Sequence, residues 1–225
     1  MFYISDYSDF FNLVEKFNKE ENRAFFYDIA IKMVNEVKKE RGDKWLLDGR
    51  TISAIMLIEY TWNFASPITK KLTHGKVKNL LMKNYNDLLE LQNSSLTKIT
   101  SLDNNIIVAI FEDFKEIFGQ TGASKALAII NPNLFVMWDT EIRKKLKIKY
   151  KIDIGNGQSG KHYLNFLRFI KSEIDKLVKF YGNEDFVISR CEWKIRKEMQ
   201  KFGIEPEKRT LAKLMDEYFY AKYII

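Results

Sequence analysis

Two residues of this 225-residue chain have types and spacing that suit covalent chemistry, Lys125 and Asp139. Lys125 stands in Phe118-Gly119-Gln120-Thr121-Gly122-Ala123-Ser124-Lys125-Ala126-Leu127. Asp139 follows in Asn131-Pro132-Asn133-Leu134-Phe135-Val136-Met137-Trp138-Asp139-Thr140-Glu141-Ile142-Arg143. A lysine amine is a nucleophile only when deprotonated, which desolvation and neighbouring cations favour. A carboxylate stabilises cationic charge or relays protons. Each residue also has an ordinary reading: Lys125 as a solvent-facing helix lysine, Asp139 as the N-cap of the helix that follows it.

Taken together, this segment resembles the helix-hairpin-helix DNA glycosylase superfamily over about residues 111–146. The resemblance implies a glycine-bearing hairpin turn, here Gly119 and Gly122, with backbone N–H groups facing a DNA phosphate, and Ser124 among the DNA-contacting residues. It implies Lys125, early in the second helix, as nucleophile, and Asp139 of the Asp139-Thr140 pair as the acid facing the scissile glycosidic bond. The turn has no proline, its glycines are three apart, and Lys125 lies three residues after Gly122, where the family's pattern has two.

Immediately downstream comes Arg143-Lys144-Lys145-Leu146-Lys147-Ile148-Lys149-Tyr150-Lys151. On a helix, Arg143, Lys147 and Lys151 share one face at i, i+4 and i+8, a stripe suited to phosphates, with Lys144 beside it. From Ile148 to Ile154, however, apolar and charged residues alternate, which is the period of a strand, so a short extended segment over 148–154 competes with the helix. Gly155-Asn156-Gly157-Gln158-Ser159-Gly160 fits the dinucleotide fingerprint Gly-x-Gly-x-x-Gly. That fold needs several more strands alternating with helices, and no others are visible, so a glycine loop is the better reading. No cofactor is expected.

The elements that must position these residues are helical. With 3 Pro and 10 Gly, the chain has too few turn residues for an all-β fold, and its 46% hydrophobic content can build a substantial core. Apolar spacing predicts two helices between Phe10 and Lys39 and a buried one from Thr51 to Phe64, stopped by Ser66-Pro67. Others follow at about Lys76 to Leu91, Asp103 to Phe118, Ala123 to Ile130, from Asp139, His162 to Tyr181, Val187 to Phe202 and Thr210 to Tyr220. The fold class is all-α: one domain over residues 1–225, or two lobes if the N- and C-terminal helices pack around the central 100–150 region. Glu59, beside Trp62 on an otherwise apolar helix, reads as a buried acid with a raised pKa or as a satisfied or edge-exposed glutamate. Trp62 itself reads as core or as a base-stacking aromatic.

Composition excludes several classes. One cysteine, Cys191, makes no internal disulfide and no Cys-based metal site, and His74 and His162 lack ligand spacing, so no metal site is expected. No secretory signal is legible at Met1-Phe-Tyr-Ile-Ser-Asp, and the weakly charged stretch Thr51 to Thr69 is interrupted by Glu59, Asn63 and Ser66-Pro67. A cytoplasmic protein without a membrane span is expected.

The net charge of +7 is unevenly placed: residues 1–120 hold 16 Lys+Arg against 17 Asp+Glu, and residues 121–225 hold 21 against 13. All of the excess lies in the half that begins at the glycine turn, as expected of a lobe that binds a polyanion. The expected partner is double-stranded DNA, contacted through its phosphates, and the expected activity is base excision. Two rivals stand beside it: a non-catalytic nucleic-acid binder on the same scaffold, and a helical protein-interaction domain whose lysines only solvate it. The sequence carries no signal of oligomeric state.

Overall fold

The computed structural model describes residues 7–63, 66–67, 69–99, 101–152, 159–203 and 205–225, the side chains of 101–103 and 202 excepted. Ten α-helices and no strands occur among them: α1 (Phe10–Glu20), α2 (Ala24–Arg41), α3 (Gly49–Trp62), α4 (His74–Lys83), α5 (Tyr85–Glu90), α6 (Ser101–Ile130), α7 (Thr140–Tyr150), α8 (Gly160–Tyr181), α9 (Glu184–Met199) and α10 (Leu211–Tyr223). Side-chain caps start most of them where the sequence places Asp, Ser, Thr or Asn. Asp48 accepts from the Arg50 N–H, Asp139 from Glu141, Ser159 from His162 and Thr210 from Lys213. Each satisfies an N–H that the helix itself leaves without a partner. No helix among the described residues is long and apolar enough to cross a membrane.

Helices from the two ends of the chain pack on each other, α1 against α9 and α10, while α2 packs on α3 and α6 packs on α3 and α8. A buried ionic cluster ties the ends together. Arg209 pairs with Asp28 of α2 and donates through Nε to Glu217 of α10 at 3.0 Å; Asn18 of α1 donates to the other Glu217 oxygen at 2.9 Å. Charges removed from water in this way persist only when paired and hydrogen-bonded.

Three local expectations are corrected. The helix predicted over Lys76 to Leu91 is two, broken at Asn84, whose buried side-chain amide donates back to the Leu80 carbonyl at 3.1 Å. The glycine turn predicted over Gly119–Gly122 is a break at a single residue: Gly119 has φ 71° and ψ 176°, and helix resumes at Gln120. That backbone conformation is essentially glycine's alone, so the bend is written by one residue. The extended segment proposed over 148–154 is helical through Tyr150. Lys151 turns left-handed at φ 52° to end α7, and residues 153 and 154 lie outside the described residues. Ile142, Leu146 and Tyr150, at i, i+4 and i+8, pack inward, Tyr150 against Phe169 with ring centroids 5.1 Å apart. Burying that stripe outweighs leaving Ile148 78% exposed. Residues 155–158 of the Gly-x-Gly-x-x-Gly match also lie outside the described residues. Its last glycine, Gly160, presses α8 onto α6, where a Cβ would meet the Val108 carbonyl oxygen at 2.6 Å.

Candidate active site

At the bend in α6 the chain opens a cleft of about 540 Å³. Its walls are the bend itself from Phe118 to Gly122, Asn63 and Ser66 beyond the end of α3, Lys115, and Thr140 and Arg143 from the first turn of α7. Among the described residues that line it, Lys115 and Arg143 are charged and no carboxylate appears. The N-terminal end of α7, at Thr140, adds the positive end of a helix dipole. Lys115 is paired with Glu112 and the Asp139 carboxylate already caps that helix end, so the cationic character of the cleft rests chiefly on Arg143; its volume suits one nucleotide-sized group.

Lys125 lies one turn past Thr121 in α6 and is 4% exposed. Its ammonium donates to the Trp62 carbonyl at 2.7 Å, in the last turn of α3, and lies 5.8 Å from the centre of the Trp62 ring. Burial holds its pKa below the ordinary lysine value. The carboxylates of Glu59, Asp139 and Asp216 pull it back up, and Arg23 adds to the fall. The same indole meets two further cations, the Arg23 guanidinium at 4.9 Å and the Lys213 ammonium at 5.8 Å. Lys125 is thus a desolvated amine whose burial, with Arg23, favours the neutral form against the pull of three carboxylates.

Asp139 caps α7 through a 2.9 Å hydrogen bond from the Glu141 N–H, which fixes its carboxylate at the start of the helix. The segment that brings it back toward Lys125 is held by Ser124. Its hydroxyl donates to the Thr121 carbonyl at 2.8 Å and accepts from the Trp138 N–H at 2.8 Å. Trp138 then stacks on Phe166, with Arg143 4.8 Å above its ring. Ser124 is 0% exposed, so the expectation that it touches nucleic acid is corrected: its hydroxyl ties the Trp138 backbone, one residue before Asp139, to α6.

Of the expected site residues, Gly119, Gly122 and Arg143 line the cleft, whereas Lys125 and Asp139 do not, and the two are linked only through the charge of Asp139 acting on Lys125. Arg143 is 9% exposed and donates to Gln120 at 2.8 Å and to the Thr140 hydroxyl at 2.7 Å, locking α7 to the bend while it lines the cleft. Lys144, Lys147 and Lys151 are exposed on α7 and at its end, Lys144 paired with Glu141 at 2.6 Å. The expected single stripe is thus split, because Arg143 turns inward onto Trp138 while the lysines stay in solvent.

Glu59 proves to be the buried acid of the two readings open for it, at 1% exposed. Burial pushes its pKa up to about 7, opposed by a hydrogen bond from Asn63 and by the charge of Lys125. Gly122 has a clear reason to be glycine, since a Cβ there would lie 2.5 Å from Glu59 Oε2 and 2.8 Å from Phe118 Cβ. Arg23, Tyr220, Lys213 and Asp216 also converge here, and sequence reasoning missed them. Arg23 grips Glu21 through two 2.7 Å contacts and reaches the Tyr220 hydroxyl at 3.1 Å. Lys213 donates to Asp216 at 2.7 Å with both side chains buried. The available signal was Thr210 to Tyr220, where charged residues sit inside an apolar helix that has no polar face to spare. No protein-family model, curated protein or solved structure matches this chain.

Proposed function

We propose that this chain binds double-stranded DNA at the bend of α6 and excises a base, with Lys125 as nucleophile and Asp139 as the carboxylate that stabilises the sugar cation. One observation carries the reading: a buried lysine with a depressed pKa and a helix-capping aspartate within its electrostatic reach, near a cleft at a glycine break that Lys115 and Arg143 line. The concentration of positive charge after residue 120 supports the DNA partner.

In this mechanism the phosphates of the damaged strand lie against Lys115, Arg143 and the N-terminal end of α7, and the target nucleotide is extruded from the stack. The Lys125 amine leaves the Trp62 carbonyl and attacks the anomeric carbon. The bond to the base breaks, and the departing base carries the electron pair of that bond. Asp139, held by its cap, faces the positive charge that develops on the sugar. A second reading is favoured by the 2.7 Å bond from Lys125 to the Trp62 carbonyl, which is also how a lysine closes a helix C-terminus. In that case the cleft binds DNA without chemistry.

Base release from duplex oligonucleotides carrying assorted damaged bases separates the two. Excision by the wild type, lost in Asp139→Asn and Lys125→Ala, supports the enzyme. Salt-sensitive DNA binding with no release from any substrate leaves the binder, and absence of binding at low salt removes both.

A further inference from the structure

We propose that the outer face of α9 binds single-stranded nucleic acid, with a base stacked on Trp193 and phosphates held by Arg190 and Lys197. This face lies outside the cleft at the bend of α6, and its role does not depend on base excision.

Trp193 is 62% exposed, whereas Trp45, Trp62 and Trp138 are buried. An indole left in water offers a flat apolar ring that accepts any base. Phe186, Arg190, Trp193 and Lys197 follow one another at i, i+4, i+7 and i+11, so they form one stripe about 16 Å long on α9. All four are exposed. Rings and cations alternate along the stripe. Phe186 is steadied by Phe11 and Tyr181, with ring centroids 6.1 and 6.3 Å away, and the Arg190 guanidinium lies 5.9 Å from the centre of the Trp193 ring.

The charges of α9 are sorted by face. Its cations off the stripe are paired, Lys194 with Glu15 and Arg196 with Glu205 at 3.2 Å. Arg190 and Lys197, on the stripe, have no carboxylate partner among the described residues. The carboxylates of the helix, Glu184, Asp185, Glu192 and Glu198, all fall off the stripe. Two unpaired cations, one turn to either side of an open ring, fit an anion that carries a flat group between its charges. A nucleic-acid strand is built that way. In a duplex the bases stack on one another and are closed to the indole, whereas an unpaired strand offers them. A helix that lies in a membrane surface needs a continuous apolar face, and Arg190 interrupts this one between Phe186 and Trp193. The positive excess of residues 121–225 adds long-range attraction for the strand.

The test is titration of the whole chain with oligothymidylate at low salt, read by tryptophan fluorescence and by anisotropy of the labelled oligonucleotide. The wild type is compared with Trp193→Ala, Trp193→Phe and the double variant Arg190→Gln with Lys197→Gln. These side chains stand at the surface, so unchanged far-UV circular dichroism confirms that each variant folds. The proposal expects quenching of the exposed indole in the wild type and binding about 10-fold weaker in Trp193→Ala, with part of it recovered in Trp193→Phe. It expects the double variant to lower the salt dependence of binding by a slope of about 1.4 in log–log form. Oligothymidylate that leaves the wild-type fluorescence unchanged, or that binds Trp193→Ala as tightly as the wild type, overturns the proposal. Quenching by phosphatidylserine vesicles but not by oligothymidylate overturns it in favour of a membrane surface. Absence of duplex binding alongside Trp193-dependent binding of the single strand overturns base excision and leaves this face standing.

Discussion

Replacing Gly122 by alanine sets two effects of known sign against each other. Gly122 lies in the helical part of α6, where alanine is favoured over glycine by about 1 kcal/mol. Against that, the added Cβ would lie 2.5 Å from Glu59 Oε2, 2.8 Å from Phe118 Cβ and 3.1 Å from Asn63 Nδ2. The Glu59 oxygen is the far end of a flexible side chain, but it is buried and bonded to Asn63; Phe118 Cβ is fixed to the backbone one turn back. Overpacking of this kind costs about 1–3 kcal/mol. The net expectation is a loss of up to about 2 kcal/mol, which for a chain of this length lowers Tm by up to roughly 8 °C. Urea unfolding followed by tryptophan fluorescence and far-UV circular dichroism measures it. Gly75→Ala, early in α4 with nothing within 4 Å of its Cβ, serves as the control and should be neutral or stabilising. A Gly122→Ala chain more stable than the wild type by the full helix-propensity gain of about 1 kcal/mol would refute the close approach of Glu59 to the bend.

The remaining expectations concern charge. Burial raises Glu59 from 4.5 to about 7, so its contribution to stability is present below about pH 4.5 and is lost as pH rises through 7. The loss amounts to about 3 kcal/mol, and a Glu59→Gln chain should show a flatter stability profile between pH 5 and pH 8 in denaturant titrations. Arg209→Ala leaves Asp28 and Glu217 buried without their cation and should cost about 3–5 kcal/mol, read as a fall in the urea midpoint at unchanged slope. Neutralising Lys115 and Arg143 together should reduce the salt dependence of duplex binding by a slope of about 2 in log–log form, measured by fluorescence anisotropy; an unchanged slope would move the phosphates elsewhere.

Much of this was legible in the sequence because periodicity and caps are local. Tyr163, Phe166, Ile170, Ile174 and Leu177 trace one face of α8, and Asp139 and Thr210, read as helix starts, are the N-caps of α7 and α10. The bend at Gly119 was legible as a stop but not in its form, since a one-residue break and a four-residue turn have the same composition. Lys125, Asp139 and Glu59 stood out by type, and what the sequence did not show is what surrounds each of them. Those surroundings depend on Ser124 accepting from the Trp138 N–H and on Lys125 donating to the Trp62 carbonyl, both contacts between residues distant in sequence. The Arg209, Asp28 and Glu217 cluster was invisible for the same reason: its members lie up to 189 positions apart, and each alone reads as a surface charge.

The most direct test of the central claim is to trap the chain on damaged duplex with borohydride and to map the adduct by mass spectrometry. The account expects a covalent adduct on Lys125, absent in Lys125→Ala and retained when Lys144 or Lys147 is replaced. An adduct on another lysine, or none on any substrate while duplex binding persists, would contradict it.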